Sequence, residues 1–291
     1  MAVVNTNVNA SIAQNALARN ERAMNTAMER LSTGQRINSA SDDAAGLAIG
    51  SRMTSQIRGL ETGIRNANDA ISMINTADGA LVEVTNMLQR MRELALQSAN
   101  GTTTSADRDY LNSEYANLLT EIERIAQNTQ WNGRNILDGT ANGTSGTVSF
   151  QVGANGGQTV AVNFGNATDA TVATASGMLQ DVASAAPTLT AGTTASALTK
   201  GTSAVTAIDT AITNVNSQRA TFGAAMNQLT YAVDNLSNVK VNAEASRSRI
   251  MDANYAEETS ELARTQIISQ AGTAMLAQAN QLPQTVLSLL Q

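Results

Sequence analysis

Thr265–Gln291 reads TQIISQAGTAMLAQANQLPQTVLSLLQ, a stretch without one charged side chain. Within it Ile268, Gly272, Met275, Ala279, Leu282, Val286 and Leu289 recur at alternating spacings of four and three. That alternation is the seam of a coiled coil, because residues three and four apart share one face of an α-helix. Gln266, Gln270, Gln278, Asn280, Gln281 and Gln284 fall off the seam, so the remaining face is polar yet uncharged. Amides interrupt the run too often for a bilayer span, which takes about 20 apolar residues in succession. Such a helix needs a partner helix. The first 18 residues offer a match: they too lack charge, and Val3, Ala10, Leu17, Met24 and Leu31 recur every seven residues. The two ends read as helices that pair with each other and with copies of themselves, as a terminal coiled coil that serves assembly.

Composition narrows what lies between. The chain has 291 residues, room for two or three domains, and a net charge of −6 with its cations dispersed, which argues against nucleic acid as a partner. Hydrophobic residues make up 42% and aromatic ones only 3%. Much of the apolar content is Ala, which suits closely packed helices better than a bulky core. Cysteine and histidine are both absent. Thiolate chemistry, the commonest general base and the usual metal ligand go with them, so no catalytic residue, metal site or cofactor is expected, and the chain is not read as an enzyme. Two prolines permit long helices. Met1 to Ala18 has neither the basic start nor the continuous apolar core of a secretory leader, so export would need a dedicated exporter.

Along the chain, a first helix is expected from Asn5 to Thr33, stopped at Gly34, with a connector from Arg36 to Ala40. Ser41 is expected to cap the next helix, with Asp42 and Asp43 in its first turn. Leu47, Ile49, Met53 and Ile57 continue that helix, which Gly59 and Gly63 loosen, and the next helix carries Ile64, Ala67, Ile71, Ile74, Leu81, Leu88 and Met91. After a turn at Gly101 to Ser105, Leu111, Tyr115, Leu118, Ile122 and Ile125 mark another, ending at Asn128 before the turn Trp131-Asn132-Gly133. Thr147 to Val152 and Thr159 to Phe164 alternate around a glycine-rich loop, a β-hairpin. Ala167 to Gly201 is rich in Ala, Thr, Ser and Gly and reads as a small exposed lobe. Then Ile208, Val215, Phe222, Leu229, Leu236, Ala243 and Ile250 recur every seven residues, with Arg219, Lys240 and Arg247 interrupting the second seam position. Pro283 either bends the last helix or marks where it restarts. The expected fold is mainly α: a long-helix coiled-coil bundle with paired N- and C-terminal helices and a small β-hairpin lobe in the middle.

Several long stretches resemble bacterial flagellin, the filament subunit. They are Leu31-Ser32-Thr33-Gly34 with Arg36-Ile37-Asn38-Ser39-Ala40, Asp42 to Ile49, Gln89 to Gln97, Thr129-Gln130-Trp131-Asn132-Gly133 and Gln281-Leu282-Pro283-Gln284. The resemblance implies a terminal domain, D0, from residues 1–40 and 255–291, and a helical rod, D1, from 41–139 and 202–254. Residues 140–201 would hold the hairpin and a variable lobe, the outer domains being missing or reduced. It implies a homopolymer on the bacterial flagellum, extracellular, exported by the flagellar type III system without a cleaved signal peptide. The terminal helices would form a tube around the export channel, their uncharged lining holding a passing chain weakly. Implied partners are the export apparatus, a flagellin chaperone, the filament cap and hook-associated junction proteins. Toll-like receptor five is implied as a further one, with Gln89, Arg90, Leu94 and Glu114 as its contacts. Nucleic acid and membrane insertion are not expected. The alternative function is a hook–filament junction protein with similar ends.

Overall fold

The computed structural model describes residues 7–141, 146–168, 178, 179, 182 and 194–289, with side chains described for residues 200–281 of the last stretch. Among these residues are five helices: α1 Val8–Thr33, α2 Ala44–Ser98, α3 Ser105–Asn128, α4 Thr194–Met251 and α5 Tyr255–Leu289. Two antiparallel hairpins, β1 Gln130–Trp131 with β2 Arg134–Asn135 and β3 Thr147–Gln151 with β4 Thr159–Asn163, complete the fold. The chain divides into two compact units, one of residues 1–57 with 241–291 and one of 58–240. Val3 lies outside the described residues, as do the side chains of Leu282, Val286 and Leu289 and most of the lobe expected at 167–201, whose last residues, from Thr194, instead begin α4.

In the first unit, Asn7 caps α1 by accepting from the Ala10 backbone N–H, and Gly34 ends it with φ 71 and an N–H to the Arg30 carbonyl. The start of α2 differs from expectation. Ser41 lies in a turn closed by the Asp42 N–H on the Ser39 carbonyl, and the helix begins three residues later, at Ala44. Asp43 is the cap, its Oδ1 accepting from the Gly46 N–H at 2.8 Å. Asp42 points back instead and accepts from the Asn38 and Ser39 N–H groups, so it organises the connector. The bracket between the two connectors is backbone: Arg36 N–H to the Met251 carbonyl and Ala253 N–H to the Gly34 carbonyl.

The second unit holds a continuous apolar core. On α2, Ala67, Ile74, Leu81, Leu88 and Ala95 recur every seven residues, as do Ala70, Ala77, Val84 and Met91, and all nine are fully buried. They meet Tyr115 and Ile122 of α3 and Ile208, Val215, Phe222 and Leu229 of α4 in one cluster. Phe164, just past β4, stacks at a tilt on Phe222 with ring centroids 5.4 Å apart. The cations that break the α4 seam face carboxylates of α2: Arg219 Nε lies 2.8 Å from Asp78 and Lys240 Nζ 2.8 Å from Glu61. Buried Arg108 of α3 donates to the Ser98 and Asn100 carbonyls, satisfying the C-terminal end of α2. Thr104 and Asp107 cap α3 reciprocally.

Gly59 and Gly63, expected to loosen the helix before a next one from Ile64, lie inside a single uninterrupted α2. They let the β3–β4 loop approach. A Cβ at Gly63 would sit 2.7 Å from the Val152 carbonyl oxygen, and one at Gly59 would sit 3.0 Å from Ala154 Cβ. Asn66 of α2 and Gln218 of α4 then pin the hairpin by donating to the Gln151 and Asn163 carbonyls. The short β1–β2 turn carries positive φ at Asn132 and Gly133, as a two-residue hairpin of this hand requires. A paired substitution on α2 separates glycine kept for space from glycine that is merely tolerated. Gly79 has no atom near its missing Cβ, so Gly79→Ala should raise stability by about 1 kcal/mol. Gly63→Ala should lower it by about 1–3 kcal/mol. Thermal denaturation of the two variants checks both signs.

Candidate assembly surface

The pair formed by α1 and α5 is the unusual part of the molecule. Its α1 face is Ala10, Ala13, Leu17, Asn20, Met24, Ala27 and Leu31, and its α5 face is Glu258, Leu262, Thr265, Ser269, Gly272, Leu276 and Ala279, each at least partly buried. Leu17 rests on Gly272, where a Cβ would be 3.4 Å from Leu17 Cδ1. The expected N-terminal seam residues Ala10, Leu17, Met24 and Leu31 are therefore on the seam. The C-terminal expectation needs a correction at Ile268 and Met275, which stay 41% and 66% exposed. The seam keeps Gly272 and Ala279 but runs through Ser269 and Leu276, one residue later than expected.

The reason lies in three polar anchors that fix the antiparallel register. Arg30 Nη1 donates to Glu258 Oε1 at 3.0 Å, and Asn20 Nδ2 donates to the Thr265 carbonyl at 2.6 Å. Glu258 and Thr265, seven residues apart and both buried, set the stripe that faces α1. The third anchor is Asn7, whose Nδ2 donates to the Ala279 carbonyl at 2.8 Å. That carbonyl would ordinarily accept from the backbone N–H four residues on, but residue 283 is proline and has none. The helix runs on through Pro283 without ending or restarting there. Asn7 thus caps α1 with its oxygen and fills the gap in α5 with its nitrogen. Sequence reasoning missed Asn7, Asn20 and Thr265; the only signal was an amide or hydroxyl placed on a helix seam.

This pairing leaves α5 with two different free flanks. Ile268, Ala271 and Met275 are exposed on one side of the seam, and Gln266, Gln270, Thr273, Ala277 and Asn280 on the other. The apolar flank adjoins a groove of about 360 Å³ lined by Asn9, Ile12, Ala13, Ala16, Met275, Gln278 and Ala279. No lining residue carries a charge. Along α1 and α5 Ala27 is the one hydrophobic residue that is fully buried among the described side chains, so this pair has almost no core of its own.

In the other unit, Gln89, Arg90 and Glu114 are exposed neighbours of the α2–α3 surface. Arg90 holds Glu114 at 2.9 Å through Nε and Nη2, and Glu93 at 2.9 Å through Nη1. Those hydrogen bonds, Glu114's first, push the Arg90 guanidinium above its ordinary range. Leu94 does not join them. It is 1% exposed and belongs to the core, so it cannot touch a partner while the bundle is closed. Arg92, between them, pairs with Asp209 of α4 at 2.6 Å. Among the described residues there is no cluster of metal-ligating side chains, and no helix is long and apolar enough to cross a membrane.

Comparison with known proteins matches this geometry to one family. The profile described as "Bacterial flagellin N-terminal helical region" covers residues 4–142, and "Bacterial flagellin C-terminal helical region" covers residues 205–290. Flagellin of Halalkalibacterium halodurans is 44% identical over 289 positions, spanning 99% of this chain and all of that protein. Flagellin A of Vibrio cholerae is 38% identical over 380 positions, spanning 99% of both. A Vibrio parahaemolyticus structure with a provisional name as a flagellar hook-associated protein shares the fold. Its TM-score is 0.61 at 18% identity, over 72% of this chain and all of that one.

Two measurements test the surface. Asn7→Asp keeps an oxygen to cap α1 but loses the donor to Ala279, so amide hydrogen exchange across α1 and α5 should quicken about fivefold, as for one lost hydrogen bond of about 1 kcal/mol. Pro283→Ala restores the backbone donor, and in its presence the same substitution should cost less. Acid gives the second test. Hydrogen bonds hold several carboxyls below their ordinary range: Asp42 by the Ser39 and Asn38 N–H groups, Glu61 by Lys240, Asp107 by the Thr104 hydroxyl, and Glu261 by Arg264. A proton binds these groups more weakly in the folded chain than in the unfolded one. Their stabilisation is therefore full above about pH 4.5 and lost as pH falls through the carboxylate range. With no histidine, melting temperature should be level from about pH 5 to 8 and fall below about pH 4.

Proposed function

This chain belongs to the bacterial flagellin family, and we propose that it is a structural subunit that polymerises into the flagellar filament used for swimming. The observation that carries the reading is the α1–α5 pair, held in register by polar anchors yet nearly without a core and open along an apolar flank. Two helices alone are marginal in water, and a surface of this kind is completed by further copies. A hook–filament junction protein is less favoured. Its support is the likeness to the hook-associated structure, which at 18% identity extends to fold alone. The relatives named flagellin match over 99% of the chain.

On this reading residues 1–40 and 255–291 form the terminal domain, 41–139 and the α4 segment to 254 form the rod, and the hairpin with the 140–201 region faces outward. The two flanks of α5 divide the labour. Ile268, Ala271 and Met275 pack against neighbouring copies, and Gln266, Gln270, Thr273 and Asn280 line the channel through which unfolded subunits travel. Amides and hydroxyls suit that task because they offer a passing chain neither an ion pair nor a large apolar surface. The partners implied are further copies, the export apparatus, a flagellin chaperone, the filament cap and the hook-associated junction proteins. The location is extracellular, reached by the flagellar type III route. Gln89, Arg90 and Glu114 are accessible to a receptor such as Toll-like receptor five, with Leu94 supporting them from beneath.

Purified subunits should form long filaments visible by negative-stain microscopy; a product limited to rings or short caps would favour the junction reading. Ile268→Asp should abolish that polymerisation. Gln270→Lys should permit it while slowing filament growth on cells, where each new subunit must pass the altered wall. Unchanged growth with Gln270→Lys would remove the polar flank from the channel.

A further inference from the structure

Met275 and Met28 are the methionines exposed beyond a third among the described side chains, at 66% and 45%. They sit in different settings. Met28 lies on α1 beside Glu29, with Asn25 and Ser32 about one turn away on either side, and does not line the α1–α5 groove. Met275 lines the uncharged groove with Ile12, Ala13, Ala16 and Ala279. On the assembly reading above, the occupant that suits that groove is a second copy of this chain. Its walls lack charge, so two copies can approach without like-charge repulsion despite a net charge of −6. The same helix also offers exposed Ile267 and Ile268 as the kind of side chain that fits it.

We propose that Met275 is an oxidation site through which a peroxide blocks docking of the next subunit, a proposal that rests on the assembly reading above. The thioether is soft, unbranched and adaptable, which suits a contact that must fit a neighbour and leaves sulfur open to solvent before assembly. In the reaction the Met275 Sδ lone pair attacks one peroxide oxygen. The O–O bond breaks, an S–O bond forms, and the proton of the transferred hydroxyl passes to the remaining oxygen, which leaves as water or the corresponding alcohol. Sulfur is oxidised by two electrons and the peroxide is reduced by two, so no further reactant is needed. The sulfoxide is polar and chiral. Closing a second copy over it would strip water from its oxygen, with donors only at the Asn9 and Gln278 edges of the groove. Methionine sulfoxide reductases return it to the thioether, so the block is reversible. Within a formed filament the groove is covered, so the device acts on unassembled subunits.

The test treats soluble subunits with dilute hydrogen peroxide and follows two quantities: sulfoxide at each methionine by peptide mass spectrometry, and filament yield. Yield should fall on the order of tenfold, in step with Met275 sulfoxide, and recover with reductase as that sulfoxide disappears. Each variant is compared with its own untreated sample. Met275→Leu should give the same yield with and without peroxide, and Met28→Leu should lose yield as the unaltered chain does. Loss of yield that tracks Met28, or an equal loss in Met275→Leu, overturns the proposal. Should Met275→Leu polymerise poorly even untreated, the sulfoxide time course and reductase recovery of the unaltered chain decide the matter. Untreated chain that forms no filament at all fails the assembly reading instead, which keeps the two failures apart.

Discussion

Two antiparallel helices cannot enclose a core, and the terminal pair of this protein is held under that constraint. Contact between two cylinders buries one stripe on each, and here half of the stripe residues are Ala, Gly, Ser or Thr. Small side chains let the backbones approach but remove little apolar area from water, so the hydrophobic gain is slight. Direction therefore comes from polar anchors. Asn7, Asn20 and Arg30 each reach a specific oxygen on α5, and a slip of one residue would unmake all three. The Asn7 contact ties this register to a defect in the partner helix, because Pro283 frees the carbonyl that Asn7 takes. Weak burial and strict register together suit ends that must order only when neighbours arrive.

The other unit solves the opposite problem. Three helices and a hairpin surround a continuous core in which α2 alone contributes two seven-residue ladders of fully buried side chains. A ladder of repeating Ala and Leu could pair in more than one register. The half-exposed ion pairs Arg219–Asp78, Lys240–Glu61 and Arg92–Asp209 contribute little stability in water, yet each mismatched register would leave their charges apposed wrongly. The hairpin adds a steric check, since its loop fits α2 only at Gly59 and Gly63.

What was legible in the sequence follows from this division. Periodicity located every helix but the junctions, because a seven-residue repeat survives wherever one face is buried. It read Gly59 and Gly63 as loosening the helix, because a glycine needed for close approach looks the same as one that weakens a helix. It placed the start of α2 at Ser41, because three adjacent capping residues compete and only geometry selects Asp43. The α1 seam was readable since Leu17, Met24 and Leu31 are its large residues. The α5 seam was not. That helix carries two stripes, and the more hydrophobic one, with Ile268 and Met275, is the one left outside. Leu94 was misplaced for a similar reason: a motif names residues without saying which of them face inward.

That misreading of α5 follows from a property of the molecule itself. A sequence written for one chain places its strongest hydrophobes where that chain folds. A sequence written for a polymer spends some of them where the next copy will bind, and leaves an intrachain seam that mixes small residues with large ones. Ile268 and Met275, exposed beside a seam of Ser269, Gly272 and Leu276, fit that second kind of sequence on the assembly reading proposed above. The absence of charge has the same origin. A charge on either flank could be solvated in a free subunit, but once copies pack around it its hydration would be lost and its repulsion repeated at every subunit. Uncharged amides are the polar groups that stay soluble before assembly and remain tolerable after it. On the assembly reading proposed above, the tail is a weak partner within its own chain because its exposed hydrophobic residues are left for other copies.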